Sequence, residues 1–158
     1  MKAITAENLS KIYESGTVAV DGIGFSLDKG EIFGFLGPNG AGKTTTVKLL
    51  CGMLAPSGGE CRVLGIDPAQ KPELLHQKTG VVTEHAQMYD HMTALENLQF
   101  YGTLFGLGRS ECEEMAMALL HRLELTDAMD RRLAAYSTGM RQRLSLARAL
   151  LHRPQILF

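Results

Sequence analysis

The spacing of apolar and polar residues changes several times along the chain, and each change marks an element. Residues 2–9, KAITAENL, alternate apolar and polar and predict a strand at the edge of a sheet. Residues 18–27, VAVDGIGFSL, predict a second strand interrupted by glycines. DKG forms a turn in which Gly30 takes a positive φ. The short apolar run EIFGFLG then has the pattern of a strand buried on both faces. Beyond a glycine-rich loop, Val47, Leu50 and Leu54 recur at helical spacing and predict a helix over 42–53. APSGGE reads as a turn and CRVLGI as another strand.

The second half is more helical. Residues 72–78 suit a short helix, and GVVTE suits a strand ending at Glu84. Thr93 and Glu96 have the T-x-x-E spacing of a capping box and open a helix that Gly106 and Gly108 stop. Ser110 and Glu113 repeat that spacing before MAMALLHRL, where Met115 and Met117 read as core filler. Ser137 is placed to cap a last helix, with Met140, Leu144, Ala147 and Leu151 on its apolar face. PQILF looks like the opening of a buried strand. Strands alternate with helices, so the class is α/β with a mainly parallel core sheet.

Composition narrows the function. The chain has 158 residues, 45% of them hydrophobic and 21% charged, which suits one globular domain. A net charge of −1 argues against direct nucleic-acid binding. Cys51, Cys61 and Cys112 show no C-x-x-C spacing and read as buried thiols in a reducing cytosol. The five histidines form no metal-binding pattern and read as structural or surface side chains. The N-terminal stretch does not read as a signal peptide, and no apolar run approaches the ~18 residues a membrane span requires.

Residues 37–44, GPNGAGKT, match G-x-x-x-x-G-K-[ST] without a gap. Gly37, Gly40 and Gly42 let successive backbone N–H groups turn inward on anionic oxygens. The helix that follows adds its positive end. Lys43 brings a mobile charge for the outer phosphates, Thr44 a hydroxyl for Mg²⁺, and Thr45 a further donor. The loop by itself leaves kinases, GTPases and transport ATPases open.

A second stretch decides among them. YSTGMRQR at 136–143, followed by LSLARALL and taken with LGPNGAGKTTT, resembles the ATP-binding-cassette (ABC) ATPases, whose usual signature is LSGGQ ahead of a basic helix. Ser137 and Gly139 match the signature. Tyr136, Thr138 and Met140 depart from it, and Thr138 puts a side chain where backbone should approach a phosphate. PSGGECRVLGIDP and MTALENLQFYG also resemble family segments, so the likeness covers essentially the whole chain.

The resemblance implies a P-loop NTPase core with a mainly parallel sheet, an N-terminal antiparallel β region and a helical signature subdomain. It divides the chain into 1–82 (P-loop core and β region), 83–140 (Q-loop and helical subdomain) and 141–158 (signature helix and the start of the Walker B strand). It implies ATP and Mg²⁺ as ligands, with Tyr13 on adenine and Gly37, Pro38, Asn39, Gly40, Ala41, Gly42, Lys43, Thr44 and Thr45 around the phosphates. Ser137, Thr138, Gly139 and Met140 would act on the ATP of a partner cassette. The family's Q-loop glutamine falls on Glu84, which together with Thr44 would meet the metal; Gln87 is a weaker candidate.

The expected partners are a second cassette, identical or not, and a separate transmembrane permease. The place is the cytoplasm, against the inner face of the membrane. LGPNGAGKTTT with YSTGMRQRLSLA looks most like export-type systems. PQILF aligns with the strand that delivers the family's catalytic aspartate and glutamate, so the expectation is a cassette truncated just before them that binds ATP without hydrolysing it. Two other readings are a soluble, ribosome- or DNA-associated ABC ATPase and a non-functional remnant.

Overall fold

The computed structural model describes residues 2–83 and 88–158. The chain forms two compact units, 1–76 and 77–158.

The first unit is built on an antiparallel sheet. Strand β1 (Lys2–Ile12) pairs with β2 (Val18–Asp28) on one side and β3 (Gly58–Val63) on the other, in the order β2-β1-β3. The alternation in β1 therefore marks the centre of the sheet, not its edge as its spacing predicts. Ala3, Ile4, Ala6 and Leu9 are all buried, which an edge strand with one neighbour does not require. Helix α1 (Lys43–Leu50) contributes Leu49 and Leu50 to the core, and the short helix α2 (Pro72–His76) adds Leu75. His76 Nε2 lies 2.8 Å from the Cys51 carbonyl, tying α2 to the end of α1.

Residues 31–36 depart from the predicted buried strand and adopt no regular structure. Ile32 is 103% exposed and Leu36 95%. An apolar run becomes a buried parallel strand only where strands flank it, and no described strand pairs with this one. The phenylalanines turn to one another instead. Phe33 stacks on Phe25 of β2 at 5.7 Å, and Phe35 meets Phe33 edge-on at 5.1 Å.

The second unit is helical. Helices α3 (Ala94–Leu104), α4 (Arg109–Arg122) and α5 (Thr138–Leu150) surround a core of Leu98, Cys112, Ala116, Leu120, Leu133, Leu144 and Leu151. The Thr93 capping box forms as predicted. Thr93 Oγ1 accepts from Glu96 N at 3.1 Å, and Glu96 Oε2 accepts from Thr93 N at 2.8 Å. The second predicted box does not form, because α4 begins two residues early at Arg109, with Gly108 in the cap position. Ser110 is thereby inside the first turn.

Strands β4 (Thr79–Gly80) and β5 (Ile156–Leu157) are the parallel pairing among the described residues. The strand predicted over GVVTE is confined to its beginning, and residues 84–87 lie outside the described set. A side chain at Gly80 would run into the Ala149 carbonyl, so α5 lies directly against β4.

All three cysteines are buried and free. Burial pushes the Cys51 thiol up to about 12, and burial followed by nearby acids takes Cys61 to about 11. Both stay protonated at neutral pH, and a disulfide-exchange reagent is expected to titrate no thiol until urea unfolds the protein. Rapid reaction of the native chain would contradict this burial. Among the described residues, no helix is long and apolar enough to cross a membrane.

Candidate nucleotide-binding site

The loop between residue 36 and α1 is shaped by three glycines with positive φ: Gly37 at 151°, Gly40 at 85° and Gly42 at 84°. Gly42 is the constrained one. It caps α1 in the left-handed conformation, and a Cβ built on it runs into the Ala19 carbonyl of β2. The start of α1 is therefore seated against the sheet as closely as backbone allows. Thr46 Oγ1 donates back to the Gly42 carbonyl at 2.9 Å, and its backbone N–H donates to the same oxygen at 2.8 Å. Sequence reading gave Thr46 no role; it is buried and braces the first turn.

Lys43 crosses the loop. Its Nζ donates to the Gly37 and Pro38 carbonyls, each at 2.7 Å. The first turn of α1 contains no acidic residue. The loop thus combines a helix N-terminus, glycine backbone and one ammonium, with no carboxylate on that turn to oppose an anion. The ammonium is held by neutral oxygens, which phosphate oxygens can replace with stronger, charge-assisted bonds. Thr44 is exposed on the same turn.

Tyr13 follows β1, and its hydroxyl lies 3.3 Å from Thr45 Oγ1. The structure thus brings Tyr13, nominated for adenine, to the helix that carries Lys43 and Thr44. Tyr13 is 37% exposed. Lys11 Nζ sits 5.9 Å from the ring centroid while donating to the Ala55 carbonyl at 2.8 Å.

The residues present suit a nucleotide whose phosphates carry their own divalent cation. Among the described residues, no group of three His, Cys, Asp or Glu could hold a metal. Thr44 offers one hydroxyl oxygen, so most of the ion's ligands would come from phosphate and water. Glu84 and Gln87, the other metal candidates, lie outside the described residues.

The signature candidates belong to the second unit. Ser137 caps α5, its Oγ accepting from Met140 N at 3.3 Å. Thr138 and Gly139 are exposed on the first turn. Tyr136, which departs from the signature leucine, is buried and donates its hydroxyl to the Ala128 carbonyl at 2.7 Å. The ring fills the apolar place and the hydroxyl finds a partner, so the turn is anchored from within the core. His152 is engaged in the same unit: its Nε2 is 3.0 Å from the Thr79 carbonyl, and Phe105 stacks on its ring at 3.8 Å.

A glycine loop closed by a lysine at the mouth of a helix, beside an antiparallel sheet and joined to a helical unit, defines a P-loop nucleotide-binding cassette. The ABC transporter family model matches residues 20–158, and the chain belongs to that family. It is 40% identical over 157 residues to the daunorubicin/doxorubicin resistance ATP-binding protein DrrA of Streptomyces peucetius, covering 99% of this chain and 47% of the relative. It is 39% identical over 155 residues to the Nod factor export ATP-binding protein I of Paraburkholderia xenovorans, covering 98% and 51%. The chain spans about half the length of the curated relatives it matches. The solved structure of cbiO1 from Clostridium perfringens, part of the ABC transporter complex cbiONQ, superposes with a TM-score of 0.87 at 26% identity, over 99% of this chain and 64% of that one. The fold is that of an ABC ATPase domain, with the antiparallel sheet at its N-terminus.

Proposed function

We propose that this chain binds ATP with Mg²⁺ as the energy-supplying subunit of an ABC transporter of export type. Tyr13 and residues 37–45 hold the nucleotide, and Thr44, with Glu84, faces the metal. Ser137, Thr138, Gly139 and Met140 present the N-terminus of α5 to the γ-phosphate bound by a second cassette. The working assembly joins two cassettes to a separate membrane permease at the inner face of the membrane. The export reading is supported by relatives named for drug resistance and for Nod factor export.

The observation that carries the reading is Lys43, suspended by two carbonyls at 2.7 Å across a loop with no acid on the turn behind it. A bound magnesium ion would offset charge between the phosphates. The chain's own part is to orient the phosphates with backbone N–H groups and to place the ammonium against them.

In a titration with a fluorescent ATP analogue, Lys43→Ala is expected to weaken binding about tenfold, the weight of one charge-assisted contact. An affinity within twofold of the unsubstituted chain would remove the loop from nucleotide binding.

A further inference from the structure

Segment 88–93, which follows the Q-loop position in sequence, is held from three directions. The first is Asn97, fully buried on α3. Its Oδ1 accepts from Tyr89 N at 2.9 Å, and its Nδ2 donates to the carbonyls of Tyr89 at 3.1 Å and Thr93 at 2.9 Å. The second is backbone pairing with 132–134. Leu133 N donates to Met92 O at 3.0 Å, Ala134 N donates to Asp90 O at 3.0 Å, and Thr93 bridges to Arg132.

The third is Arg141 of α5. Its Nη1 donates to Asp90 Oδ1 at 2.6 Å and its Nη2 to the Leu133 carbonyl at 2.7 Å. One planar fork thus spans both sides of the bracket. The backbone N–H of Arg141 donates to the Ser137 carbonyl at 2.9 Å, closing the turn that contains Ser137 to Met140. The residue that grips segment 88–93 through its side chain is thus also the one whose backbone closes that turn.

Helix electrostatics favours anions, not cations, at this end of α5, and the first turn holds no acid. Asp90 supplies the missing negative charge from outside the helix. The hydrogen bond from Arg141 holds the Asp90 carboxyl below the usual carboxylate range. The Asp90 side chain is 61% exposed and that of Arg141 27%. A pair so placed adds little to global stability, yet its two fixed bonds define an orientation.

We infer that Asp90 and Arg141 form a positioning pair that fixes the Ser137–Met140 turn relative to segment 88–93, coupling the two. The inference rests on the reading of that turn as the part presented to a partner's nucleotide.

The test is amide hydrogen exchange on the full chain without nucleotide, beside a fluorescent-ATP titration and a thermal melt of each variant. Asp90→Asn is expected to speed exchange at Met140 and Arg141 about threefold, and Arg141→Gln, which loses both bonds, about tenfold. Exchange in the β1–β3 sheet, the melting midpoint and nucleotide affinity stay as in the unsubstituted chain. The double variant Asp90→Arg/Arg141→Asp, which re-forms the ion pair but not the bond to the Leu133 carbonyl, is expected to bring exchange back to within about threefold of the unsubstituted chain.

Unchanged exchange at Met140 and Arg141 overturns the pair. So does acceleration spread over the whole second unit, or a double variant as loose as Arg141→Gln alone. Failure of the unsubstituted chain to bind fluorescent ATP would instead overturn the nucleotide reading, and the nucleotide-free exchange would still decide the pair.

Discussion

A polypeptide of residues 1–158 given Mg·ATP is expected to release phosphate at least about a hundredfold more slowly than a cassette with acid–base groups at its attacking water, since positioned proton transfer typically contributes 10²–10⁴ in rate. No Asp or Glu occurs from Arg131 to Phe158, so α5 and β5 carry no carboxylate that could orient water or hold a metal. His152 does not substitute, because its ring is stacked on Phe105 and its Nε2 faces the Thr79 carbonyl. In the loop itself the groups are electrostatic: Lys43, the glycine backbone and the end of α1. Such groups bind and polarise phosphates without moving a proton. The measurement is continuous phosphate release by the purified polypeptide, with Lys43→Ala as background. Turnover well above that background, at the rate of a complete cassette, would show that acid–base catalysis comes from groups not recognised in these residues.

The sequence was most legible where function or capping ties residue type to local geometry. The glycines of the loop, the Thr93–Glu96 box and the Ser137 cap all act within one helical turn, so spacing suffices to find them. It was least legible where structure depends on distant partners. Residues 31–36 have the composition of a buried strand, yet strand identity lies in hydrogen bonds to neighbours, and here Phe33 and Phe35 pack on Phe25 instead. β1 alternates as an edge strand would, and only its pairing on both sides reveals it as central. Ser110 failed as a cap because Gly108, two residues earlier, already had the extended backbone a cap requires, with φ −63° and ψ 149°. Asp90 and Arg141 lie 51 positions apart, and no local pattern couples them. Tyr136 departs from the motif in sequence; in the fold its ring is buried like an apolar side chain and its hydroxyl donates to the Ala128 carbonyl, a partner eight positions away that the motif does not contain.

Gly42→Ala is expected to have the largest effect of any single methyl added to the loop. Gly42 and Gly40 have nearly the same φ, 84° and 85°, so the left-handed strain on an L-residue is common to both, about 1–2 kcal/mol. They differ in what surrounds them. A Cβ at Gly40 meets nothing within 4 Å, whereas at Gly42 it meets the Ala19 carbonyl near the start of β2. Backbone cannot rotate away as a flexible side chain can, so α1 must lift from the sheet or β2 must bend. Either movement loosens Thr46 from the Gly42 carbonyl and tilts the N–H groups away from the phosphates. The expected cost for Gly42→Ala is about 3 kcal/mol in urea unfolding, against about 1 kcal/mol for Gly40→Ala. ATP affinity should fall more than tenfold in the first variant and only a few-fold in the second, because that cradle depends on the seating of α1. Equal losses in the two variants would mean that strain alone, and not the contact with Ala19, holds the loop in shape.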